Sequence, residues 1–273
     1  MNNLVNTDQP SALAVISRPE SGIAVITLNS PKNRNALSLA MMAALQTAFD
    51  ALGEDSETSA IVLNAHGPAF CAGHDLKELT AHRGDPDGGR AFFRRTMEQC
   101  ATLMQSIIRC PKPVIAAVEA TATAAGCQLV ATCDLAVAAD TAKFCTPGVN
   151  IGLFCSTPMV ALSRNIPRKR AMEMLILGEL ISADDAALYG LINKAVPKDR
   201  VMDEAIVYAR RIVAKSPATV AIGKEAFYQQ IEQPLSEAYD YTVGVMVQNM
   251  LYSDAEEGIG AFLEKREPKW KGC

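Results

Sequence analysis

Residues 69–76, AFCAGHDL, and residues 122–139, ATAAGCQLVATCDLAVAA, decide how this chain is read. Each sets small residues, Ala72-Gly73 in the first stretch and Ala124-Ala125-Gly126 in the second, where a turn feeds an expected helix start. The first N–H groups of a helix have no intrahelical acceptor, and the helix dipole favours negative charge beside them. Two such turns aimed at one oxygen form an anion hole, often the largest electrostatic contribution to a reaction that develops negative charge. The pattern predicts paired backbone donors suited to a carbonyl oxygen that gains negative charge during a reaction.

Working outward, short apolar runs at 12–17 and 23–28, separated by Pro19 and Gly22, predict an N-terminal hairpin. From Ser38, an expected N-cap, Leu39, Met42, Leu45, Phe49 and Leu52 recur at helical spacing, with Gly53 as the stop. A strand at 61–64 leads into the first stretch. The polar residues 80–89 are read as a mobile surface loop, and Phe93, Met97, Cys100, Leu103, Met104 and Ile107 predict a long helix ended by Pro111 and Pro113. Val114 to Val118 reads as a buried strand entering the second stretch. The plan of strand, glycine-containing turn and helix therefore occurs twice.

Short strands at 134–139 and 143–145 and a helix from Thr157-Pro158 continue an alternation that lasts to about Val196. Beyond Pro197 only helices are expected, with Ser216-Pro217 as N-cap and first helical position and residues 254–257 as a capping box. The chain thus divides into an α/β body, residues 1–200, and a helical region, residues 201–273, suited to packing against a neighbouring subunit.

The sequence has 273 residues, is 49% hydrophobic and carries a net charge of −4. That is enough apolar material for a large core and no basic field for nucleic acid. The start, MNNLVNTDQPSALAV, lacks a cationic segment followed by an apolar one, and no apolar run approaches the roughly 18 residues that span a bilayer. A cytoplasmic protein without a membrane partner is expected. The 8 cysteines read as reduced thiols in a core, and none has zinc-site spacing with a partnering histidine, so no metal is expected.

AFCAGHDLKEL, the Ala-Ala-Gly-Cys segment, CDLAVAAD, ISADDAALYGLINKAVP and the closing GIGAFLEKREPKWKG together resemble the crotonase superfamily, the enoyl-CoA hydratase/isomerase family, over nearly the whole chain. The resemblance implies an α/β fold, a spiral of ββα repeats with a C-terminal helical trimerisation region. It also implies trimers often paired into hexamers, and a bent acyl-CoA between the two stretches. The implied oxyanion donors are the backbone N–H groups of His74 and Ala125, with Ala72, Gly73, Asp75, Leu76, Lys77 and Gly126 around the substrate. Coenzyme A enters as part of that substrate, and no further cofactor is implied. Lys77 stands where relatives meet the adenine nucleotide, or is a solvated helix-face lysine. Asp75 reads as a helix-start residue.

Two departures bear on mechanism. Family hydratases carry a glutamate after the Gly-Gly-Gly-Cys stretch and another after the proline of the next loop; this chain has Gln128 and Gly148 there. A carboxamide orients a water but does not take its proton near neutral pH, and each missing acid or base group removes on the order of 10²- to 10⁴-fold in rate. Isomerases of the family keep an acid near the second position, so Gly148 counts against that reaction as well. The His74 imidazole is a candidate for proton transfer, or only a structural hydrogen-bonder. Cys71, Cys127, Cys145 and Cys155 read as small packing residues rather than nucleophiles. Asn150 holds a water or an acyl carbonyl, or ties down its loop. Some naphthoate-synthase members also have glycine near the second position and use bicarbonate, and Gln128 would hold such an anion. The readings left open are a hydratase by family name, an acyl-CoA-binding pseudoenzyme, and a different crotonase-type reaction such as thioester hydrolysis or decarboxylation.

Overall fold

The computed structural model describes residues 12–273; the first 11 residues of the segment read for a leader lie outside the described residues. The chain opens with β1 (Ala14–Glu20), β2 (Gly22–Leu28) and α1 (Leu39–Glu54). It continues through β3 (Thr58–Ala65), β4 (Ala69–Cys71), α2 (Leu76–Ala81), α3 (Arg90–Arg109), β5 (Val114–Val118), β6 (Thr121–Thr123) and α4 (Ala125–Thr132). Next come β7 (Leu135–Ala139), β8 (Lys143–Cys145), α5 (Pro158–Asn165), α6 (Arg168–Leu177), β9 (Ile181–Ser182), α7 (Ala183–Tyr189) and β10 (Lys194–Val196). Helices alone complete it: α8 (Val201–Val213), α9 (Pro217–Gln230), α10 (Leu235–Met250) and α11 (Ser253–Glu264).

The larger sheet has the order β1-β2-β3-β5-β7-β10 and the smaller one β4-β6-β8-β9. β1 and β2 form the expected antiparallel hairpin, with Ala14 opposite Leu28. From β2 onward the larger sheet is parallel, and so are β4, β6 and β8 in the smaller one. Each pass of the chain therefore leaves a strand in one sheet, a strand in the other and then helix: β3-β4-α2, β5-β6-α4, β7-β8-α5. Both sheets advance in the same order, which is a spiral of ββα repeats. Residues 69–71 and 121–123, read from sequence as parts of turns, are the second strands of their repeats. Three residues are too few to show an alternating pattern, and pairing across the sheet, Ala69 with Thr121 and Cys71 with Ala122, defines them instead.

Parallel strands covered on both faces need continuous apolar runs. Ile61 to Leu63 and Val114 to Val118 have no exposed surface at all. α8 lies across β2, β3, β5 and β7 with Val201, Ala205 and Ala209 buried, so the helix following residue 200 closes the larger sheet.

Several local expectations change. Ser38 caps α1 through its hydroxyl, which accepts from Met41 N at 3.1 Å, but the helix runs through Gly53 to Glu54. A single interior glycine costs only about 1 kcal/mol, less than the burial of Phe49 and Leu52 returns. Residues 80–89 are not a structureless loop. They hold the end of α2 and a 3-10 turn, His82–Gly84, and Asp87 starts α3 by accepting from Gly89 N and Ala91 N at 2.9 and 2.7 Å. The ring of His82 stacks on Phe92 with centroids 3.6 Å apart. Asp254 forms no capping box: α11 begins after Tyr252 without a side-chain cap, and the buried Asp254 carboxylate instead accepts from Lys271 N at 2.6 Å and Gly272 N at 3.0 Å. Ser216 caps α9 as expected, accepting from Thr219 N at 3.1 Å.

Candidate active site

The three segments singled out in the sequence leave the carboxyl ends of three neighbouring parallel strands. Ala72-Gly73-His74 follows β4, Ala124-Ala125-Gly126 follows β6, and Thr146-Pro147-Gly148 follows β8. A parallel sheet places such turns side by side, and ligands of α/β proteins collect at these ends.

The first two turns are in contact. A Cβ built on Gly73, whose φ is +87°, would lie 2.9 Å from Ala124 Cβ, 3.2 Å from Thr123 O and 3.3 Å from Ala125 N. A Cβ on Gly126 would lie 2.2 Å from Cys71 O. Both glycines are therefore required by close backbone approach as well as by turning. The backbone accounts for which N–H groups stay free. Ala72 N donates to Arg34 O at 3.0 Å, and Ala124 N to Cys145 O at 2.9 Å, so neither serves a ligand. Ala125 N opens α4, and its helical acceptor would fall outside the helix. Neither it nor His74 N has a protein acceptor among the described residues.

Ala124 carries unusual strain. Its φ of 50° and ψ of −120° belong to a turn position that glycine ordinarily fills. A side chain held there is over-determined by its surroundings, a condition typical of functional turns. Nothing in the sequence marks it except a small residue where a turn is needed.

Asp75 is the N-cap of α2, accepting from Lys77 N at 2.9 Å and Glu78 N at 3.2 Å through one oxygen. Glu78 in turn accepts from Leu39 N at 3.0 Å at the start of α1. The carboxylates nearest the first turn are thus engaged with helix starts. Leu76 and Lys77 are exposed on the outer side of α2.

His74 separates into two parts. Its imidazole Nδ1 lies 3.4 Å from Leu37 O, while Nε2 is closed off from solvent with no protein partner among the described residues. Burial holds this imidazole below its ordinary value of 6.5, against the opposing effects of the Leu37 carbonyl and the Glu78 carboxylate.

Gln128 is 4% exposed, and its Oε1 accepts a weak bond from the Cys100 thiol of α3 at 3.9 Å. Gly148 is buried in a 3-10 turn, Pro147–Ile151, and accepts from Leu153 N at 2.9 Å. A Cβ there would lie 2.9 Å from both Leu153 O and Cys155 Sγ. The glycine is a packing requirement of its loop, so a glutamate at this position would first have to displace backbone. Asn150 donates to Gly178 O at 3.3 Å and ties down that loop.

Cys71, Cys127, Cys145 and Cys155 are buried. Desolvation pushes the Cys71 thiol up to about 12 and Cys145 to about 11, and raises Cys127 and Cys155 too. Thiols held so far above neutral pH are poor nucleophiles. Among the described residues no group of three His, Cys, Asp or Glu is arranged to hold a metal ion.

Sequence reasoning passed over the segment Ser30 to Leu37. Asn35, fully buried at a φ of 53°, donates to His66 O and Ala69 O, each at 2.9 Å, and accepts from Ser30 N at 2.8 Å. Asparagine tolerates the left-handed region. That clamp lets Leu37 N donate to Gly73 O at 2.7 Å and sets Arg34 beside Ala72. The signal was an asparagine in a turn-rich stretch, PKNRN, directly before a capped helix.

Comparison with known proteins adds to this geometry. The family model described as enoyl-CoA hydratase/isomerase matches residues 18–273. The human enoyl-CoA hydratase domain-containing protein 3, mitochondrial, is 48% identical over 254 residues, 93% of this chain and 82% of that protein. Its crystal structure superposes with a TM-score of 0.89 at 47% identity, covering 94% of this chain and 100% of that one. An enoyl-CoA hydratase from Mycobacterium smegmatis superposes with a TM-score of 0.90 at 51% identity, covering 96% and 99%. The rat and Xenopus relatives, each 47% identical, are likewise named mitochondrial, which overturns the cytoplasmic location expected from the N-terminal residues. With the ββα spiral, the paired turns and the match across residues 18–273, the chain belongs to the crotonase superfamily, the enoyl-CoA hydratase/isomerase family.

Proposed function

We infer that this protein is an acyl-CoA enzyme that holds the thioester oxygen between the backbone N–H groups of His74 and Ala125 and stabilises the enolate formed there. The observation that carries this reading is the contact of Gly73 with the Thr123–Ala125 turn, which brings the two free donors of adjacent strands together. Gly126 keeps that approach close, and Lys77 is assigned to the adenine nucleotide part of coenzyme A. Water addition through a glutamate pair is not assigned, since Gln128 and Gly148 occupy those positions and Asp75 and Glu78 are engaged in capping. The chemistry assigned is enolate stabilisation in which the substrate supplies the acidity or the leaving group. An assembly of three copies, or six, is supported by the exposed apolar side chains of α10.

Binding of a CoA thioester labelled with ¹³C at its carbonyl, followed by infrared spectroscopy, tests the oxyanion assignment. A thioester in the hole shows a carbonyl stretch shifted to lower frequency than in water. Gly73→Ala, which drives a methyl against Ala124, removes the shift; an unshifted stretch in the bound wild type rejects the assignment.

A further inference from the structure

The carboxamide of Gln128 is the one polar side chain at these turns that is more than nine-tenths buried and whose donor end has no protein partner among the described residues. Its position is informative. Gln128 lies on α4 three residues beyond Ala125, one turn along the same face, so the two Cβ atoms are about 5–6 Å apart. Side chains of an α-helix lean toward its N-terminus, which directs this carboxamide back over the Ala124-Ala125 turn. The Cys100 thiol, a donor, faces Oε1 from α3 and so orients the amide with its N–H pair turned away from α3. The backbone N–H groups of His74 and Ala125 are the other donors at these turns without a protein acceptor among the described residues. The acids next to the first turn are occupied as helix caps.

The Gln128 amide nitrogen is not among the buried atoms left without a partner, so this end of the side chain still reaches open space at the turns, and an apolar acyl chain laid over it strips that donor of water at a cost of about 1–3 kcal/mol. An acyl group that brings its own acceptor removes it. With the thioester oxygen at the His74 and Ala125 donors, the span to Gln128 corresponds to an oxygen on the β-carbon of the acyl group. We propose that Gln128 is a specificity-determining residue whose amide N–H binds an oxygen on the acyl β-carbon, so that this site selects 1,3-dicarbonyl thioesters, with a ketone or a carboxylate at that carbon, over plain acyl chains. The inference rests on the thioester-binding reading above and adds the substrate class. It also accounts for the neutral side chains at positions 128 and 148. A carboxylate on the β-carbon leaves as carbon dioxide while the electrons of the broken C–C bond pass into the enolate held by the two N–H groups, so that substrate forms the enolate without a base at either position.

The test is calorimetric affinity of the full-length protein for butyryl-CoA, acetoacetyl-CoA and malonyl-CoA, compared with Gln128→Met and Gln128→Glu. The wild type binds acetoacetyl-CoA or malonyl-CoA at least about tenfold more tightly than butyryl-CoA, the equivalent of about 1.4 kcal/mol. Whichever of the two binds more tightly identifies the ketone or the carboxylate. Gln128→Met, of similar length and without a donor, keeps its affinity for butyryl-CoA and loses the preference. Should that variant fail to fold, the isosteric Gln128→Glu, which sets a carboxylate against the β-oxygen, loses the preference as well, most steeply for malonyl-CoA. Equal wild-type affinity for the three esters, or a preference that survives either substitution, overturns the proposal and leaves thioester binding standing. Absence of binding to any of the three overturns the thioester reading and the proposal together.

Discussion

At the scale of single residues, the turn between β6 and α4 holds strain in one alanine. Ala124 sits at φ 50° and ψ −120° because Gly73 and Cys145 fix the chain on both sides of it. A left-handed conformation costs an L-residue about 1–2 kcal/mol, whereas glycine adopts it without a Cβ clash and loses about 0.5–1 kcal/mol of unfolded-state entropy. Ala124→Gly is therefore expected to stabilise the protein by up to about 1 kcal/mol, read as a higher urea midpoint with an unchanged slope. His74 gives a second prediction at this scale. Its folded-state imidazole titrates below 6.5 because burial disfavours the charge. The contribution of this group to stability is fully present above the unfolded value and is lost as pH falls through about 6.5, where the unfolded chain takes up a proton that the folded chain refuses. Urea unfolding at pH 7.5 and pH 5.5 measures the loss. His74→Gln, which removes the titrating ring, gives the shallower fall; an identical pH dependence in both proteins rejects this account.

Among elements, the C-terminal tail is held by a side chain that sequence reading assigned to a helix cap. Burial raises the Asp254 carboxyl, yet the Ser216 hydroxyl and the N–H groups of Lys271 and Gly272 together hold it below the usual range. Ser253 adds a bond to Cys273 O at 2.8 Å, so the start of α11 anchors the last residues. Asp254→Ala removes charged hydrogen bonds worth about 1.5–3 kcal/mol each and is expected to lower the unfolding midpoint and expose 267–273 to carboxypeptidase first. Undiminished resistance of that tail in the variant would show that it is held by other contacts. The same comparison shows what was legible. Long apolar periodicities gave α1, α3 and β5, because burial of a repeated face is written locally in sequence. The small-sheet strands β4 and β6 were hidden, because three residues carry no period and their pairing is set by partners more than fifty positions apart. The paired turns that follow β4 and β6 were legible from their small residues. The fixed place of Gly148 and the Asn35 clamp were not, since both depend on contacts between loops.

For the molecule as a whole, the helical region is attached to the spiral by a buried polar cluster. Lys224 of α9 donates to Asp134 Oδ2 at 2.7 Å and to the carbonyls of Ile107 and Lys112 at 3.0 and 3.1 Å, and Tyr228 donates to Asp134 Oδ1 at 3.0 Å. That cluster fixes α9 and, through it, the direction of α10. Along α10, Leu235, Tyr239, Val243, Met246, Val247 and Met250 all stay exposed, at spacings of three and four residues that place them on one face. Among its residues only Ala238 is buried. An apolar stripe running the length of a sixteen-residue helix is larger than a monomer keeps in water without a partner. A second copy of the chain is the expected partner, since a rigidly held stripe repeats in identical geometry on every subunit and suits closed cyclic assembly. Val243→Asp and Val247→Asp place charges in the middle of that face, where burial without a counter-charge costs several kcal/mol per ion. Sedimentation equilibrium is expected to give a trimer or hexamer for the wild type and a monomer for the double variant. The spiral core remains folded in that variant, because neither valine contributes to it. A monomeric wild type, or a double variant that sediments as the wild type does, would show that α10 is not the contact between copies.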